Sequence, residues 1–127
     1  QNTYDEVNVI VAGGNYGWPT VEGRSSDSRF RNPAWQWSPS EASPSGIGIK
    51  GDSLYVAALR GQRLWRLRFS GTSISSATAM FTGTYGRLRT VMQNPRDGAM
   101  WVMTSNRDGR GSPSSSDDRV LRFSRFP

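Results

Sequence analysis

The chain has 127 residues, a formal net charge of +6, and neither cysteine nor histidine, so it can bury one modest core but form no disulfide, thiolate metal site or histidine-based catalytic site. No run of about 18 apolar residues is present to span a membrane, and residues 1–5 lack the basic and apolar regions of a signal peptide. Fifteen arginines and one lysine supply the positive charge, but they are dispersed among predicted strands without a nucleic-acid-binding motif, so we expect no nucleic-acid partner.

The first 45 residues combine one predicted strand with a long irregular segment. Residues 6–12 form the first strand candidate, and the glycine-rich sequence GGNYGWP at residues 13–19 predicts a turn. Residues 20–45 are rich in serine, proline, arginine and tryptophan and show little alternation. This segment is too long for an ordinary connection, so we expect a functional loop or an insertion.

Residues 46–83 predict four short strands in succession, the number that one blade of a β-propeller requires. Turn sequences, including Gly51-Asp52 and Arg60-Gly61, separate the strands. No window of 11 residues has a 3.6-residue apolar period, so we expect almost no helix. The four strand candidates are residues 46–49, 54–59, 64–69 and 77–82.

Residues 84–127 predict three further strands, at residues 88–93, 99–104 and 119–126. The polar turn NPRDG separates the first two, and a polar loop at residues 105–118 precedes the third. Residues 99–104 are almost continuously apolar, which favours burial on both faces, as between stacked blades. We therefore predict an all-β fold of antiparallel blades, the last of them completed by another segment, with a partial β-sandwich as the alternative.

Arg87 and Arg89 stand two positions apart at the start of a predicted strand. Residues i and i+2 of a strand point to the same face, so we expect the two guanidinium groups to share one face. The planar guanidinium fork suits bidentate contacts with carboxylates, which favours an acidic ligand. From the pattern alone, a solvated strand face is the alternative.

Three stretches of the chain, in this order, carry a family resemblance: DEVNVIVAGGNYGWP at residues 5–19, SPSGIGIKGDSLYVAALRGQRLWRL at residues 43–67, and YGRLRTVMQNPRDGAMWVMTSNRDGRG at residues 85–111. Together they resemble the C-terminal part of soluble quinone-dependent sugar dehydrogenases of the glucose/sorbosone dehydrogenase family. The resemblance implies a six-bladed β-propeller several times longer than this chain, of which the chain would cover only the C-terminal two to three blades.

The same resemblance implies a division of the chain into four parts. Residues 1–19 would be the end of one blade, residues 20–45 a long loop, residues 46–83 a blade, and residues 84–127 the last blade. Two or so isolated blades leave an apolar flank and unpaired strand edges. The expected partners are therefore the remaining blades of the propeller or a second copy of the chain.

The activity that the resemblance implies is oxidation of an aldose or a related sugar, with hydride passed to pyrroloquinoline quinone (PQQ) held by calcium. The family's general base is a histidine from an early blade, and this chain has no histidine. We therefore expect the complete protein to be an oxidoreductase of carbohydrate metabolism and the chain alone to be inactive. A secreted, periplasmic or cell-surface location is implied in the same way.

For the cofactor, the resemblance implies that Arg60, Arg87 and Arg89 contact the quinone. Arg87 and Arg89 match an R-x-R motif that lies beside the quinone in the family, although Thr90 follows where many members have aspartate. Arg60 occupies a turn where several members place a lysine, so the charge is retained and the hydrogen-bond geometry changes. An ordinary exposed turn arginine is the alternative for Arg60.

For calcium, Glu6 and Tyr16 match residues that hold a structural ion in some members, through a carboxylate and a backbone carbonyl. Gln1 aligns near carbonyls that hold the active-site calcium. The alternative is that Glu6 caps the turn or pairs with an arginine. The acidic residues between positions 108 and 118 lack the spacing of a helix–loop–helix calcium site, so we expect no such site there.

For the sugar, Trp35 and Trp37 lie in the irregular segment from which the family supplies aromatic residues to the substrate entrance. Aromatic faces stack well on the apolar faces of sugar rings. Packing of the loop against the propeller is the alternative for both residues. We expect Trp18 to be structural, with a buried ring that anchors its turn.

A second function of a different class stays open: a noncatalytic, propeller-like module that binds carbohydrate or protein through its loops. The sequence upstream of this chain in its gene distinguishes the two. Several further blades with a histidine at a strand end support the enzyme, and their absence supports the binding module.

Overall fold

The computed structural model describes residues 2–126, and every helix or strand element in them is a β-strand. In the described part of the chain, therefore, no helix is long and apolar enough to cross a membrane. The strands are β1 (Asp5–Val7), β2 (Trp35–Trp37), β3 (Pro44–Lys50), β4 (Ser53–Ala58), β5 (Arg63–Ser70), β6 (Ser73–Met80), β7 (Leu88–Gln93), β8 (Met100–Thr104) and β9 (Val120–Phe123). They form three antiparallel sheets, in the orders β1-β2, β3-β4-β5-β6 and β7-β8-β9.

The first sheet is a short ribbon that the sequence predicted only in part. Asp5 pairs with Trp37 and Val7 pairs with Trp35. The strand predicted over residues 6–12 ends at Val7, because β2 offers only three residues with which to pair. The segment predicted as a loop over residues 20–45 contains β2 and the beginning of β3.

The second sheet contains the four strands predicted between residues 46 and 83. Its last strand begins earlier than expected, at Ser73, because Ser70 and Ser73 pair across a tight turn in which Gly71 has a φ of +57°. The polar residues that follow Ser73 show no alternation that the sequence reading could detect. Cross-strand hydrogen bonding to β5 nevertheless holds them in a strand.

The third sheet contains the three strands predicted after residue 84, but the expected burial of both its faces is wrong. Met100 and Val102 are fully buried, whereas Trp101 and Met103 are 37% and 43% exposed. Alternate residues of a strand point to opposite faces, so one face of this sheet is covered and the other is not. Nothing among residues 2–126 packs over the outward face, so its apolar side chains stay open to solvent.

The three sheets pack against one another through two apolar cores. The first lies between the second and third sheets, and its buried residues are Tyr55, Ala57, Leu64, Leu88, Val91, Met100 and Val102. The second lies between the first and second sheets, and its buried residues are Trp37, Ala42, Val56, Ala58, Trp65 and Leu67. The predicted all-β, antiparallel fold is therefore confirmed.

Glycines let β3 approach β7 very closely. A Cβ atom on Gly46 would lie 2.8 Å from the Thr90 Cα, and one on Gly48 would lie 2.8 Å from the Val91 carbonyl oxygen. These partners are backbone atoms, so no side-chain rotation could make room. The separation between the second and third sheets is therefore set by two glycines.

We expect Gly46→Val to lower the free energy of unfolding by about 1–3 kcal/mol, because overpacking forces the sheets apart. Urea unfolding followed by tryptophan fluorescence measures this change. Ser73→Val is the matched control, because it adds the same side chain at an exposed position of the outer strand β6. A loss in the control as large as that in Gly46→Val would contradict the assigned cause.

Candidate functional site

A basic pocket of about 410 Å³ lies where loops of all three sheets meet. Three arginines line it, and among residues 2–126 the single acidic lining group is the carboxylate of Asp5. The full lining is Asp5, Pro39, Ser43, Arg60, Arg87 and Arg110. The structure therefore brings two of the arginines singled out in the sequence, Arg60 and Arg87, into one pocket.

Arg60 occupies the turn between β4 and β5, and that turn is fixed against the segment before β3. The Leu59 N–H donates to the Ser43 carbonyl at 3.0 Å, and the Gly61 N–H donates to the Ala42 carbonyl at 3.0 Å. A Cβ atom on Gly61 would lie only 2.0 Å from the Glu41 carbonyl oxygen, so this position requires glycine. The backbone of Arg60 is thus held in place while its side chain stays exposed.

Arg87 precedes β7 and is only 7% exposed. Its Nε and Nη2 donate to the Asp108 Oδ2 at 3.0 and 2.9 Å. Its backbone N–H donates to the Asn106 Oδ1 at 2.8 Å, and its carbonyl accepts from the Ser105 N–H at 2.9 Å. The loop after β8 therefore holds both the backbone and the guanidinium group of Arg87.

Arg89 has a different environment from Arg87. Leu88 pairs with Thr104 and Thr90 pairs with Met103, so Arg89 is the extra residue of a β-bulge. A bulge interrupts the alternation on which the expected shared face depended. Arg89 is exposed, its Nη1 donates to the Ser45 Oγ at 3.1 Å, and it does not line the basic pocket.

Arg110 is the lining arginine that the sequence did not predict. Its backbone N–H donates to the Asp108 Oδ1 at 3.0 Å, which lowers the pKa of Asp108, and the Arg87 guanidinium lowers that pKa further. Asp108 is therefore ionised at neutral pH. The sequence signal for this loop is the aspartate-glycine turn Asp108-Gly109.

A second pocket of about 370 Å³ adjoins the basic pocket, since Asp5 and Ser43 line both. It contains Glu6 and Tyr16, the predicted calcium residues. The two oxygens of Glu6 accept from the Gly23 N–H and the Asn8 Nδ2. Glu6 thus fastens the surrounding loops, as the turn-capping alternative expects.

The acidic side chains among residues 2–126 do not by themselves make up a calcium shell. Calcium takes six to eight oxygen ligands, yet no group of three or more acidic, histidine or cysteine side chains that could hold a metal occurs within residues 2–126. Both carboxylate oxygens of Glu6 already accept hydrogen bonds. Gln1, the third predicted calcium residue, lies outside the described residues.

The tryptophans predicted to contact sugar lie on β2. Trp37 is 5% exposed, and its ring centroid lies 5.5 Å from that of Trp65 in the second core. Trp35 is half-buried against the same core. These placements favour loop packing over sugar contact. Trp18, by contrast, was expected to be buried but is 64% exposed at the second pocket.

Comparison with known proteins extends these observations. The sequence model for the family described as "Glucose / Sorbosone dehydrogenase" matches residues 1–116. A 29-residue stretch, 23% of this chain and 6% of the relative, is 59% identical to quinoprotein glucose dehydrogenase B of Acinetobacter calcoaceticus.

Two solved structures share almost the whole chain. The PQQ-bound form of aldose sugar dehydrogenase from Streptomyces coelicolor is 49% identical over 96% of this chain, with a TM-score of 0.91. A putative oxidoreductase (glucose dehydrogenase) from Thermus thermophilus is 48% identical over 94%, with a TM-score of 0.85. The chain spans 36% of each of these structures. This likeness and the sheet topology confirm the prediction of β-propeller blades.

Proposed function

Because the chain belongs to the glucose/sorbosone dehydrogenase family, we propose that it supplies quinone-binding residues to a PQQ-dependent enzyme that oxidises an aldose or a related sugar. The observation that supports this proposal is the pocket in which Arg60 and Arg87 meet. Three arginines against one lining carboxylate leave an excess of positive charge for an acidic ligand.

The residues present fit the cofactor, because PQQ carries three carboxylates and guanidinium groups bind carboxylates well. Arg60 and Arg87 would hold it from the pocket, and Arg89 would contact it from the bulge beside the pocket. When bound, the quinone accepts the hydride that leaves the sugar. The part of this chain is to bind and orient the quinone, since a general base for the sugar hydroxyl must come from elsewhere in the complete protein.

Calcium would be held by Glu6 and the Tyr16 carbonyl only together with further ligands, because the acidic side chains of residues 2–126 do not complete its shell. Trp35 and Trp37 would support the substrate entrance from within the second core rather than by stacking on the sugar. A secreted, periplasmic or cell-surface location forms part of the same proposal.

The outward face of the third sheet supports a proposal about partners. Its exposed apolar residues are Met92, Trp101, Met103 and Val120, and the pairings of Met92 with Trp101 and of Met103 with Val120 place them together. Exposed apolar patches of this kind mark contact surfaces. We propose that another blade of the complete protein covers this face, or a second copy when the chain is alone.

We expect Arg60→Ala or Arg87→Ala in the full-length protein to weaken PQQ binding by about tenfold to a hundredfold, since a charged hydrogen bond contributes roughly 1.5–3 kcal/mol. Arg89→Ala should act in the same direction if the bulge residue reaches the cofactor. Titration of PQQ into the apoprotein, followed by tryptophan fluorescence, measures the affinity.

Arg122→Ala is the matched control for this titration. Arg122 forms an exposed ion pair with Asp97 at 2.7 Å, and neither residue lines the basic pocket. Unchanged affinity in both Arg60→Ala and Arg87→Ala, or an equal loss in the control, would refute the quinone site. Arg60 would then be an ordinary solvated charge, and Arg87 a structural ion pair with Asp108, rather than cofactor contacts.

A further inference from the structure

We infer that Arg110 is a third ligand-binding arginine of the basic pocket and that Asp108 is the residue that positions it. The inference rests on the proposed function only for the identity of the ligand, a carboxylated quinone. The arrangement of Arg60, Arg87 and Arg110 is a property of the pocket itself. The ligand chemistry that it predicts is a planar anion with several carboxylates.

Two of the three pocket arginines have no partner for their charge among residues 2–126. The guanidinium groups of Arg60 and Arg110 form no hydrogen bond or ion pair with any of residues 2–126, and both residues are exposed. The lining carboxylate of Asp5 accepts the Ser43 N–H at 2.7 Å, so one of its oxygens is already engaged. Like charges gathered in one pocket repel each other, and a bound anion would relieve that repulsion.

Asp108 links Arg110 to Arg87 through a single carboxylate. Oδ1 accepts the backbone N–H of Arg110, and Oδ2 accepts Nε and Nη2 of Arg87. The next residue, Gly111, packs so closely that a Cβ atom there would lie 2.6 Å from the Asn106 carbonyl oxygen and 3.0 Å from the Arg87 Cδ. The Arg110 side chain therefore leaves the backbone from a fixed point at the pocket wall.

The contacts of Arg87 also decide how the three arginines share a ligand. Asp108 takes Nε–H and one N–H of Nη2 of Arg87, which leaves the two N–H groups of Nη1 and the second N–H of Nη2 to contact a ligand. All the guanidinium N–H groups of Arg60 and Arg110 are free of hydrogen bonds with residues 2–126 and can bind a ligand. Arg60 and Arg110 could thus meet ligand carboxylates with either edge of the guanidinium group, whereas Arg87 offers only its Nη1/Nη2 end.

The test titrates PQQ, and separately benzene-1,3,5-tricarboxylate, into the 127-residue chain by isothermal calorimetry at two salt concentrations. We expect Arg110→Gln to weaken binding by about tenfold to a hundredfold and to reduce its salt dependence, because one cation is lost. Arg96→Gln is the control, since Arg96 is also exposed in a polar turn and does not line the pocket.

The Asp108→Asn variant distinguishes two effects of Asp108 on ligand binding: the positioning of Arg110 and the negative charge of the Asp108 carboxylate itself. Removing a negative charge beside the pocket would by itself tighten the binding of an anion, whereas loss of positioning weakens it. We expect weaker binding with the salt dependence retained. Tighter or unchanged binding in Asp108→Asn would overturn the positioning role.

The remaining outcomes distinguish this inference from the proposed function. If Arg60→Gln weakens PQQ binding and Arg110→Gln does not, the inference fails and the quinone site stands. If the tricarboxylate binds in an Arg110-dependent way and PQQ does not bind, the quinone proposal fails and the anion site stands. If the unaltered chain binds neither compound, the inference is overturned, and the titration of the full-length protein still decides on the quinone.

Discussion

The purified chain, supplied with PQQ, calcium and an aldose, is expected to reduce a redox dye at least about a hundredfold to ten-thousandfold more slowly than the full-length protein. A positioned general base contributes an acceleration of this order. The chain has no histidine, and the carboxylate that lines the basic pocket, that of Asp5, already accepts a hydrogen bond from the Ser43 N–H. We therefore expect a sugar beside a quinone in this pocket to lack the histidine that would remove its proton.

The control for this assay is the affinity of the same preparation for PQQ. Dye reduction is compared at quinone concentrations that saturate both proteins, so that slow turnover cannot reflect an empty site. Turnover by the chain within tenfold of the full-length rate would contradict the prediction. It would also require a base among the carboxylates or tyrosines of this chain.

The sheets could be predicted from the sequence because their strands carry local signals. The turn sequences between β3, β4 and β5 act over a few residues, and they predict where chain reversal occurs. The short ribbon of β1 and β2 has no such signal. It forms because residues about 30 positions apart pair, and Trp37 and Trp65 then pack in one core.

The site could be predicted only in part, because some of its features also depend on pairing between distant segments. The family resemblance predicts Arg60 and Arg87 at the cofactor site, but the β-bulge at Arg89 depends on how β7 pairs with β8. An alternation rule applied to one strand cannot detect an extra residue in its pairing. The predicted shared face of Arg87 and Arg89 therefore depended on a regular register that the sheet does not have.

The position of Arg110 could not be predicted from its neighbours in the sequence. Arg110 enters the pocket because Asp108 and the buried Asn106 fasten the loop after β8 to Arg87, about 20 residues earlier in the chain. The contacts of Asn106 and Asp108 with Arg87 join segments that are distant in sequence. The aspartate-glycine turn predicted a bend at Asp108, but nothing local indicated what the loop would meet.

The outward face of the third sheet leads to a prediction about assembly. We expect the isolated chain to self-associate and Trp101→Glu to weaken that association by at least about a hundredfold, or roughly 2.7 kcal/mol. A central tryptophan often contributes about 2 kcal/mol or more to an interface, and a carboxylate in its place must lose its water without gaining a partner. Met103→Glu should act in the same direction, because Met103 lies on the same exposed face.

Sedimentation velocity over a range of concentrations measures the association, and circular dichroism shows whether each variant keeps its sheets. Ile10→Glu is the matched control, because Ile10 is more exposed than Trp101 but lies outside every strand. If the unaltered chain stays monomeric at all concentrations, or if Ile10→Glu dissociates it equally well, the outward face is not the contact surface. Dissociation confined to Trp101→Glu and Met103→Glu would show that the outward face of the third sheet is the surface through which the chain associates.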